Sequence, residues 1–171
     1  MKAYWITIIG VALLAGCSNT APQRPSQRKG ESPKADTTAL ALMEMNQQLA
    51  QAADDCLLHL AQAQPETYAL YERGVWASIE DKGDMGKPVT QGEECTLLMK
   101  VLSLSGELYM DSEVTARIGK YELPAGVDDN ITEWHHGARV RMFVPWYAAY
   151  GIKGTDHIPP YENIVIELNI R

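Results

Sequence analysis

Three stretches near the C-terminus carry the pattern that decides the fold: VPWYAAYG at residues 144–151, IKGTDHIPP at 152–160 and NIVIEL at 163–168. Just before the first stretch, apolar residues at 140, 142 and 144 alternate with other residues, which predicts a strand with one face in the core. The last stretch continues into a second strand of the same kind, with Ile164, Ile166, Leu168 and Ile170 on one face. Between them, the sequence predicts a corner at Tyr150 and a rigid turn at Pro159 and Pro160.

Upstream of these stretches the sequence predicts three more strands and one short helix. Strands are expected at residues 75–79, 95–102 and 107–110, separated by turn-forming residues. Val127, Ile131 and Trp134 recur at helical spacing, so a helix is expected to begin near Pro124 and to end by Gly137. Together these elements predict an α+β domain, in which an antiparallel sheet packs on a single helix.

A longer amphipathic helix is predicted before this domain, from Leu40 to Ala63. Its stripe either packs on the domain or pairs with a second copy, giving a homodimer through residues 40–63. The sequence leaves three possibilities for Cys56 and Cys95. They are a Cys56–Cys56 disulfide between two copies, a Cys56–Cys95 disulfide, or two buried free thiols. The predicted apolar stripe comprises Leu42, Met45, Leu49, Ala52, Cys56 and Leu60.

Composition and missing motifs exclude several classes of protein. The chain has 171 residues and a net charge of −7, which argues against nucleic-acid binding. Three cysteines without a CxxC pair do not make a disulfide scaffold or a structural zinc site. No GxSxG, HExxH, P-loop or GxGxxG motif occurs. The adjacent His135 and His136 point apart and cannot readily chelate one ion, so we expect no metal site and no cofactor.

The N-terminus has the pattern of a bacterial lipoprotein leader. Residues 1–16 read as a signal peptide, with an apolar run that is far shorter than the ~20 residues a membrane-spanning helix needs. The sequence LAGC at 14–17 resembles the lipobox, which implies cleavage before Cys17 and attachment of lipid to it. Residues 17–39, rich in proline and charge, are expected to form a disordered tether. Ser18 favours the outer membrane, so we expect a lipid-anchored protein of the cell envelope.

The Ala149-Tyr150-Gly151 corner and the Ile158-Pro159-Pro160 turn, with the last strand, resemble the C-terminal half of the FKBP family of peptidyl-prolyl cis-trans isomerases. LPAGVDDNI at 123–131 is similar to the family's short-helix sequence, and SGELY at 105–109 to its hairpin. The lipobox, tether and first helix further resemble lipoprotein FKBPs of Bacteroidetes related to gliding-motility isomerases. The resemblance covers residues 72–171 and implies an FKBP-like antiparallel sheet wrapped on one short helix, preceded by an N-terminal amphipathic helical region at 40–71.

The resemblance also implies which residues form the site. Tyr150 would bond a substrate carbonyl, Ile158 and Leu123 would form walls, and Val127 would form the floor. The family's hairpin aspartate corresponds either to Met110 or, with one inserted residue, to Asp111, which we take as the candidate. Val127, Ile166 and Met99 stand where the family has aromatic residues, and Pro124 falls at or beside the position of a backbone N–H donor. The remaining candidates around the pocket are Met99, Tyr109 and Ile166.

These residue types suit proline isomerisation on physical grounds. Rotation about an X-Pro amide is opposed by ~18–20 kcal/mol of lost resonance and requires no nucleophile. An apolar pocket that holds the proline ring and excludes water favours the twisted, less polar amide. We therefore expect an isomerase that assists folding of exported, proline-containing or unfolded polypeptides. The alternative is a catalytically degenerate FKBP-fold chaperone or binding module in a surface complex.

Overall fold

Residues 37–171 are described by the computed structural model of the chain, and their helices and strands are as follows. Helix α1 spans Thr37–Gln62 and helix α2 spans Ala125–Asp128. The strands are β1 Ala69–Leu70, β2 Trp76–Asp81, β3 Glu94–Ser103, β4 Leu108–Arg117, β5 Arg139–Val144 and β6 Ile164–Ile170. The predicted signal peptide, Cys17 and the predicted tether up to residue 36 lie outside the described residues.

The strands form one antiparallel sheet in the order β1-β2-β5-β6-β3-β4. Strand β6 lies between β5 and β3, so that Ile166 stands opposite both Met142 and Val101. All three side chains are fully buried on the face of the sheet that also contacts α2. The alternating C-terminal stretch therefore supplies an interior strand, and the predicted antiparallel sheet packed on a short helix is confirmed.

Strand β4 is longer than predicted, because it continues to Arg117 instead of ending at Met110. Within residues 37–171 it is an edge strand of the sheet and pairs with β3 alone, so most of its residues past Met110 stay partly or fully exposed. A half-exposed edge strand needs few apolar residues, and the polar sequence after Met110 therefore reads as a loop.

Helix α2 is much shorter than the predicted helix and is followed by a separate 3₁₀ turn at Ile131–Glu133. Asn130 interrupts the α-helical pattern: its backbone N–H donates to Val127 O at 3.2 Å, and its side-chain amide donates to Gly126 O at 2.8 Å. The chain then tightens into 3₁₀ geometry. Val127, Ile131 and Trp134 are nevertheless all buried, as their spacing predicts.

Helix α1 packs on the opposite, outer face of the sheet through its C-terminal half. Leu57 and Ala61 form an apolar cluster there with Phe143 and Val165. The buried stripe begins at Ala53, one position along the helix from the predicted stripe, so Ala52 and Cys56 are exposed instead. Ala53 and Ala61 are small, so the spacing of the larger residues does not reveal this buried face.

The N-terminal half of α1 leaves its apolar side chains in solvent. Leu42 is 51% exposed and Met45 is 46% exposed, and these residues continue the predicted stripe away from the sheet. The helix begins three residues before the predicted start, a difference close to the ordinary uncertainty of a helix end. Within residues 37–171, no helix is long and apolar enough to cross a membrane.

Cys56 and Cys95 are both free thiols. Cys56 is exposed on α1, whereas Cys95 is buried in β3. The Cys56–Cys95 bond is therefore absent, and the expectation of a buried thiol is right for Cys95 and wrong for Cys56.

Candidate active site

The floor of the candidate site lies on the inner face of the sheet beneath α2. Val127 and Ile166 are fully buried, and Met99 is 3% exposed. Gly126 sets the position of α2, because a Cβ added there would come within 2.8 Å of Val144 Cγ1 and 3.0 Å of Val75 Cγ2. Only glycine lets α2 approach the sheet closely enough to place Val127 on the floor.

One wall is held by the buried carboxylate of Asp128. Its two oxygens accept hydrogen bonds from the backbone N–H groups of Gly119 and Tyr121, each at 3.1 Å. These bonds fix the loop that leads from β4 to Leu123, which is 5% exposed. Pro124 follows directly and caps α2 without an N–H of its own, so it offers no backbone donor to a ligand.

The opposite wall is the flap, defined here as residues 145–163 between β5 and β6. Thr155 fixes its tip, since its backbone N–H donates to Ile158 O at 2.8 Å and its hydroxyl accepts from the Ile158 N–H at 3.0 Å. Gly154 has a φ of 62°, and a Cβ there would clash with Ile158 O. The turn predicted around the two prolines therefore presents Ile158 to the core, where it is 4% exposed.

Tyr150 lies on the flap with its ring packed against the same apolar cluster as Val127 and Ile158. Burial raises the pKa of the Tyr150 hydroxyl above its ordinary value, so the group ionises only at a still more alkaline pH than a free tyrosine. Within residues 37–171 this hydroxyl has no hydrogen-bond partner. It is a half-buried donor that remains available to a ligand.

Tyr109 joins the β3–β4 hairpin to the flap. Its hydroxyl donates to Glu162 Oε1 at 3.2 Å, and its ring packs against the inner cluster. Burial, followed by the neighbouring Glu162, raises the pKa of the Tyr109 hydroxyl. This hydroxyl is already engaged, unlike that of Tyr150.

Asp111 does not lie with the other candidates. It stands opposite Lys100 in the β3–β4 register, whereas Met110 stands opposite the buried Val101. The register shifts between these residues and Leu108, so the bulge at Tyr109 directs Met110 inward and Asp111 outward. The choice of Asp111 is therefore wrong, and Met110 occupies the rim of the site.

Helix α1 contacts the outer side of the flap, a contact that the sequence analysis missed. Tyr161 donates through its hydroxyl to Asn46 Oδ1 at 3.2 Å, and Trp146 Nε1 donates to Leu49 O at 3.5 Å. The Tyr147 hydroxyl donates to Asp54. Nothing in the local sequence pairs these residues, because about 90 to 115 positions separate the partners.

No family model matches the chain, and no curated protein matches its sequence. Solved structures do match its fold. A peptidyl-prolyl cis-trans isomerase from Pseudomonas syringae pv. tomato superposes with a TM-score of 0.61 at 20% identity, over 72% of this chain and 92% of that one. The N-terminal domain of FKBP42 from Arabidopsis thaliana gives 0.56 at 20% identity, over 63% and 91%, and AtFKBP13 gives 0.55 at 18% identity, over 60% and 94%. The chain has the FKBP fold.

In this FKBP fold the candidate residues divide into a floor, walls and a rim. Their side chains belong to one apolar cluster with one free hydroxyl at its edge, and the described floor and walls offer no strong ligand for a metal ion. The floor and walls are buried, so a ligand would first contact the half-buried rim, where Tyr150 can donate one hydrogen bond. The floor consists of Met99, Val127 and Ile166, the walls of Leu123 and Ile158, and the rim of Tyr109, Met110 and Tyr150.

Proposed function

We propose that the chain is a peptidyl-prolyl cis-trans isomerase that acts on exported polypeptides at the bacterial envelope. The observation that carries the proposal is the Tyr150 hydroxyl, which is half-buried and unpaired within residues 37–171 beside an apolar floor. A hydroxyl that has no partner within the described residues can donate to a ligand carbonyl at the edge of an apolar site.

The chemistry follows from this arrangement. An X-Pro amide that rotates loses conjugation, and its carbonyl changes direction as it turns. A pyrrolidine ring that enters between the rim residues would meet the apolar cluster around Val127 and Ile166 and lose its water, which favours the twisted amide over the more polar planar one. Tyr150 would donate to the turned carbonyl through its hydroxyl.

Two features limit the expected rate. Pro124 supplies no N–H at or beside the position where the FKBP resemblance implies a donor, and Val127 and Ile166 stand where it implies larger aromatic side chains. Fewer donors and a less aromatic floor reduce the interactions that strengthen in the transition state. We therefore propose a slower isomerase whose clients are held mainly by apolar contacts.

The envelope location is supported by the sequence of the leader. The lipobox ending at Cys17 and the polar residues that follow it suit a lipid-anchored protein on a tether, with the outer membrane favoured by Ser18. Radiolabelled fatty acid should be incorporated into the wild-type chain and not into a Cys17→Ala variant. Equal labelling of both would contradict the anchor.

The isomerase proposal is tested by cis-to-trans kinetics on a set of X-Pro peptides. We expect Tyr150→Phe to reduce kcat/KM about two- to tenfold, the equivalent of one neutral hydrogen bond. Tyr68→Phe is the matched control, because Tyr68 stacks on Phe143 on the outer face and loses only a hydroxyl. Equal rates for Tyr150→Phe and the parent would contradict the role of Tyr150, and an inactive parent would contradict the enzyme.

A second candidate is a binding or chaperone module, favoured by the exposed row Leu42, Met45 and Leu49 on α1. This row is next to the flap, since Asn46 and Leu49 make the contacts to Tyr161 and Trp146. Leucine and flexible methionine side chains suit binding of varied apolar segments. We propose that the occupant is an unfolded exported polypeptide.

This candidate predicts that the chain suppresses aggregation of an unfolded client and that Leu42→Ser with Met45→Ser weakens the effect. Met85→Ser, at a residue that is 62% exposed elsewhere, is the control. Light scattering tests whether a second copy of the chain covers this row instead of a client. A doubled mass that the double variant abolishes would show homodimerisation through α1 and would contradict client binding there.

A further inference from the structure

Glu93, Cys95 and His136 form a polar cluster at the end of the sheet where β3 begins. One ligand atom from each, a carboxylate oxygen, the thiol sulfur and a ring nitrogen, lies within 4.8 Å of the other two. Cys95 lies six residues before Val101, the partner of Ile166, so the cluster is roughly 20 Å along the strand from the candidate active site. The isomerase proposal does not use any of these three residues.

The imidazole of His136 faces two acceptors. Its Nδ1 lies 2.7 Å from the backbone oxygen of Arg171, and its Nε2 lies 2.9 Å from Glu93 Oε1. Neither oxygen can donate, so a neutral ring can satisfy only one of them. When Nδ1 carries the proton, the lone pair of Nε2 points at a carboxylate, and a cation between them would remove the conflict.

The supporting contacts orient these groups as metal ligands are commonly oriented. In the tautomer with the proton on Nδ1, the bond to Arg171 O fixes the ring and leaves the Nε2 lone pair for an ion, the usual arrangement for a ligating histidine. The other oxygen of Glu93, Oε2, accepts a hydrogen bond from the Thr90 hydroxyl at 2.6 Å. Glu93 Oε1 and His136 Nε2 are thereby directed to one place.

Cys95 completes the set. Its thiol is 1% exposed, and its nearest acceptors are the backbone oxygens of Thr96 and Arg171, each at 3.9 Å, which is a weak contact. The side chains of His136 and Glu93 are 28% and 27% exposed, so an ion can reach them from solvent. We propose that Glu93, Cys95 and His136 bind one zinc ion, with water as the fourth ligand.

The donor types and spacing select zinc among the common divalent ions. Thiolate and imidazole suit zinc and are poor ligands for magnesium and calcium. With bonds of about 2.0 Å, a tetrahedral ion separates its nitrogen and oxygen ligands by about 3.3 Å, so Glu93 must move by only a few tenths of an ångström. Binding replaces the thiol proton of Cys95 by zinc, so one proton is released to solvent.

The test uses the full chain with Cys17→Ser, purified in detergent under a reductant that does not bind metals, and it uses cobalt and zinc as probes. We expect one equivalent of Co²⁺ to give a thiolate-to-cobalt absorption band, and Zn²⁺ to abolish the band. Adding Cys95→Ser should remove the band, and adding His136→Gln should weaken zinc binding at least about 100-fold. Cys56→Ser, at the exposed cysteine, is the control and should retain both.

Circular dichroism on each variant separates loss of ligand from loss of fold. His136→Gln changes a partly exposed side chain and should leave the fold intact. It therefore tests zinc binding even if Cys95→Ser unfolds the buried strand. Absence of the band in the parent, its persistence in folded Cys95→Ser, or unchanged zinc affinity in His136→Gln would overturn the proposal. Because no step depends on catalysis, an inactive isomerase would leave the result intact.

Discussion

The two faces of the sheet are built from the same strands in different ways. On the inner face, alternate residues of β3, β5 and β6 are apolar and buried under α2, the preceding loop and the flap. On the outer face, the apolar cluster of buried residues lies where α1 covers Phe143 and Val165. Elsewhere it is charged, with Glu167 accepting from Arg141 at 3.0 Å and lying 3.6 Å from Lys100.

Strand β5 shows what this difference teaches. It begins with alternating exposed and buried residues and ends with Met142, Phe143 and Val144, all buried. A run of apolar residues on a strand means that both faces are covered at that point. The buried end of β5 therefore marks the place where α1 covers the outer face. The charged residues before it lie where that face is open to solvent.

The largest effect is expected for Phe143→Ala, which removes an aromatic ring from the cluster on the outer face. Removing this ring leaves a cavity under α1 and deletes its stacking on Tyr68, at 4.5 Å between ring centroids, so we expect a loss of about 3–5 kcal/mol in the free energy of unfolding. Urea denaturation measures the loss. Leu42→Ala, at an exposed residue of α1, should change stability by less than about 0.5 kcal/mol. Similar small losses for both would show that α1 does not cover the outer face in solution.

The contact between α1 and the flap has a pH dependence. Burial, together with the hydrogen bond to Asp54, raises the pKa of the Tyr147 hydroxyl well above its ordinary value of 10.0. The unfolded chain ionises this group at the ordinary pKa while the folded chain keeps the proton, so the stability it contributes is complete below pH 10 and is lost as pH rises further.

Tyr147→Phe should therefore cost about 1.5 kcal/mol at pH 7 and give a shallower decline of stability above the ordinary tyrosine pKa. Chemical denaturation at a series of pH values provides the measurement. Asp54→Asn should lose part of the same stability, whereas Asp55→Asn, at the exposed neighbour on α1, should not. An unchanged alkaline slope in Tyr147→Phe would contradict the assignment.

The smallest effect is expected for substitution of Asp111, which lies on the outer face of β4, whereas Met110 lies on the inner face. Asp111→Ala should leave stability within about 0.5 kcal/mol of the parent and leave peptide isomerisation unchanged, because this residue faces away from the site. Met110→Ala should lower kcat/KM about fivefold through loss of an apolar contact at the rim. A reversed order of the two would contradict the bulge at Tyr109.

These residues also show how far sequence alone could reach. The alternation in β5 and β6 predicted two strands of the sheet, and the corner with its proline turn resembled the FKBP family. The choice between Met110 and Asp111 could not be made from the sequence. A bulge adds one residue to a strand and reverses the face to which every later side chain points. The stripe on α1 was displaced by one position for a similar reason, since the helix rotates to fit the sheet that it meets.

The sequence by itself determined the periods of the strands and helices, the corner that carries Tyr150 and the apolar character of the floor, because each depends on neighbours in the chain. Only the tertiary structure decided which face α1 covers and which hydroxyl is left unpaired. It also brought His136 to Glu93 and Cys95, about 40 residues away in the chain. Those arrangements depend on contacts across the sheet, and strand register and helix docking set them after the local pattern has been fixed.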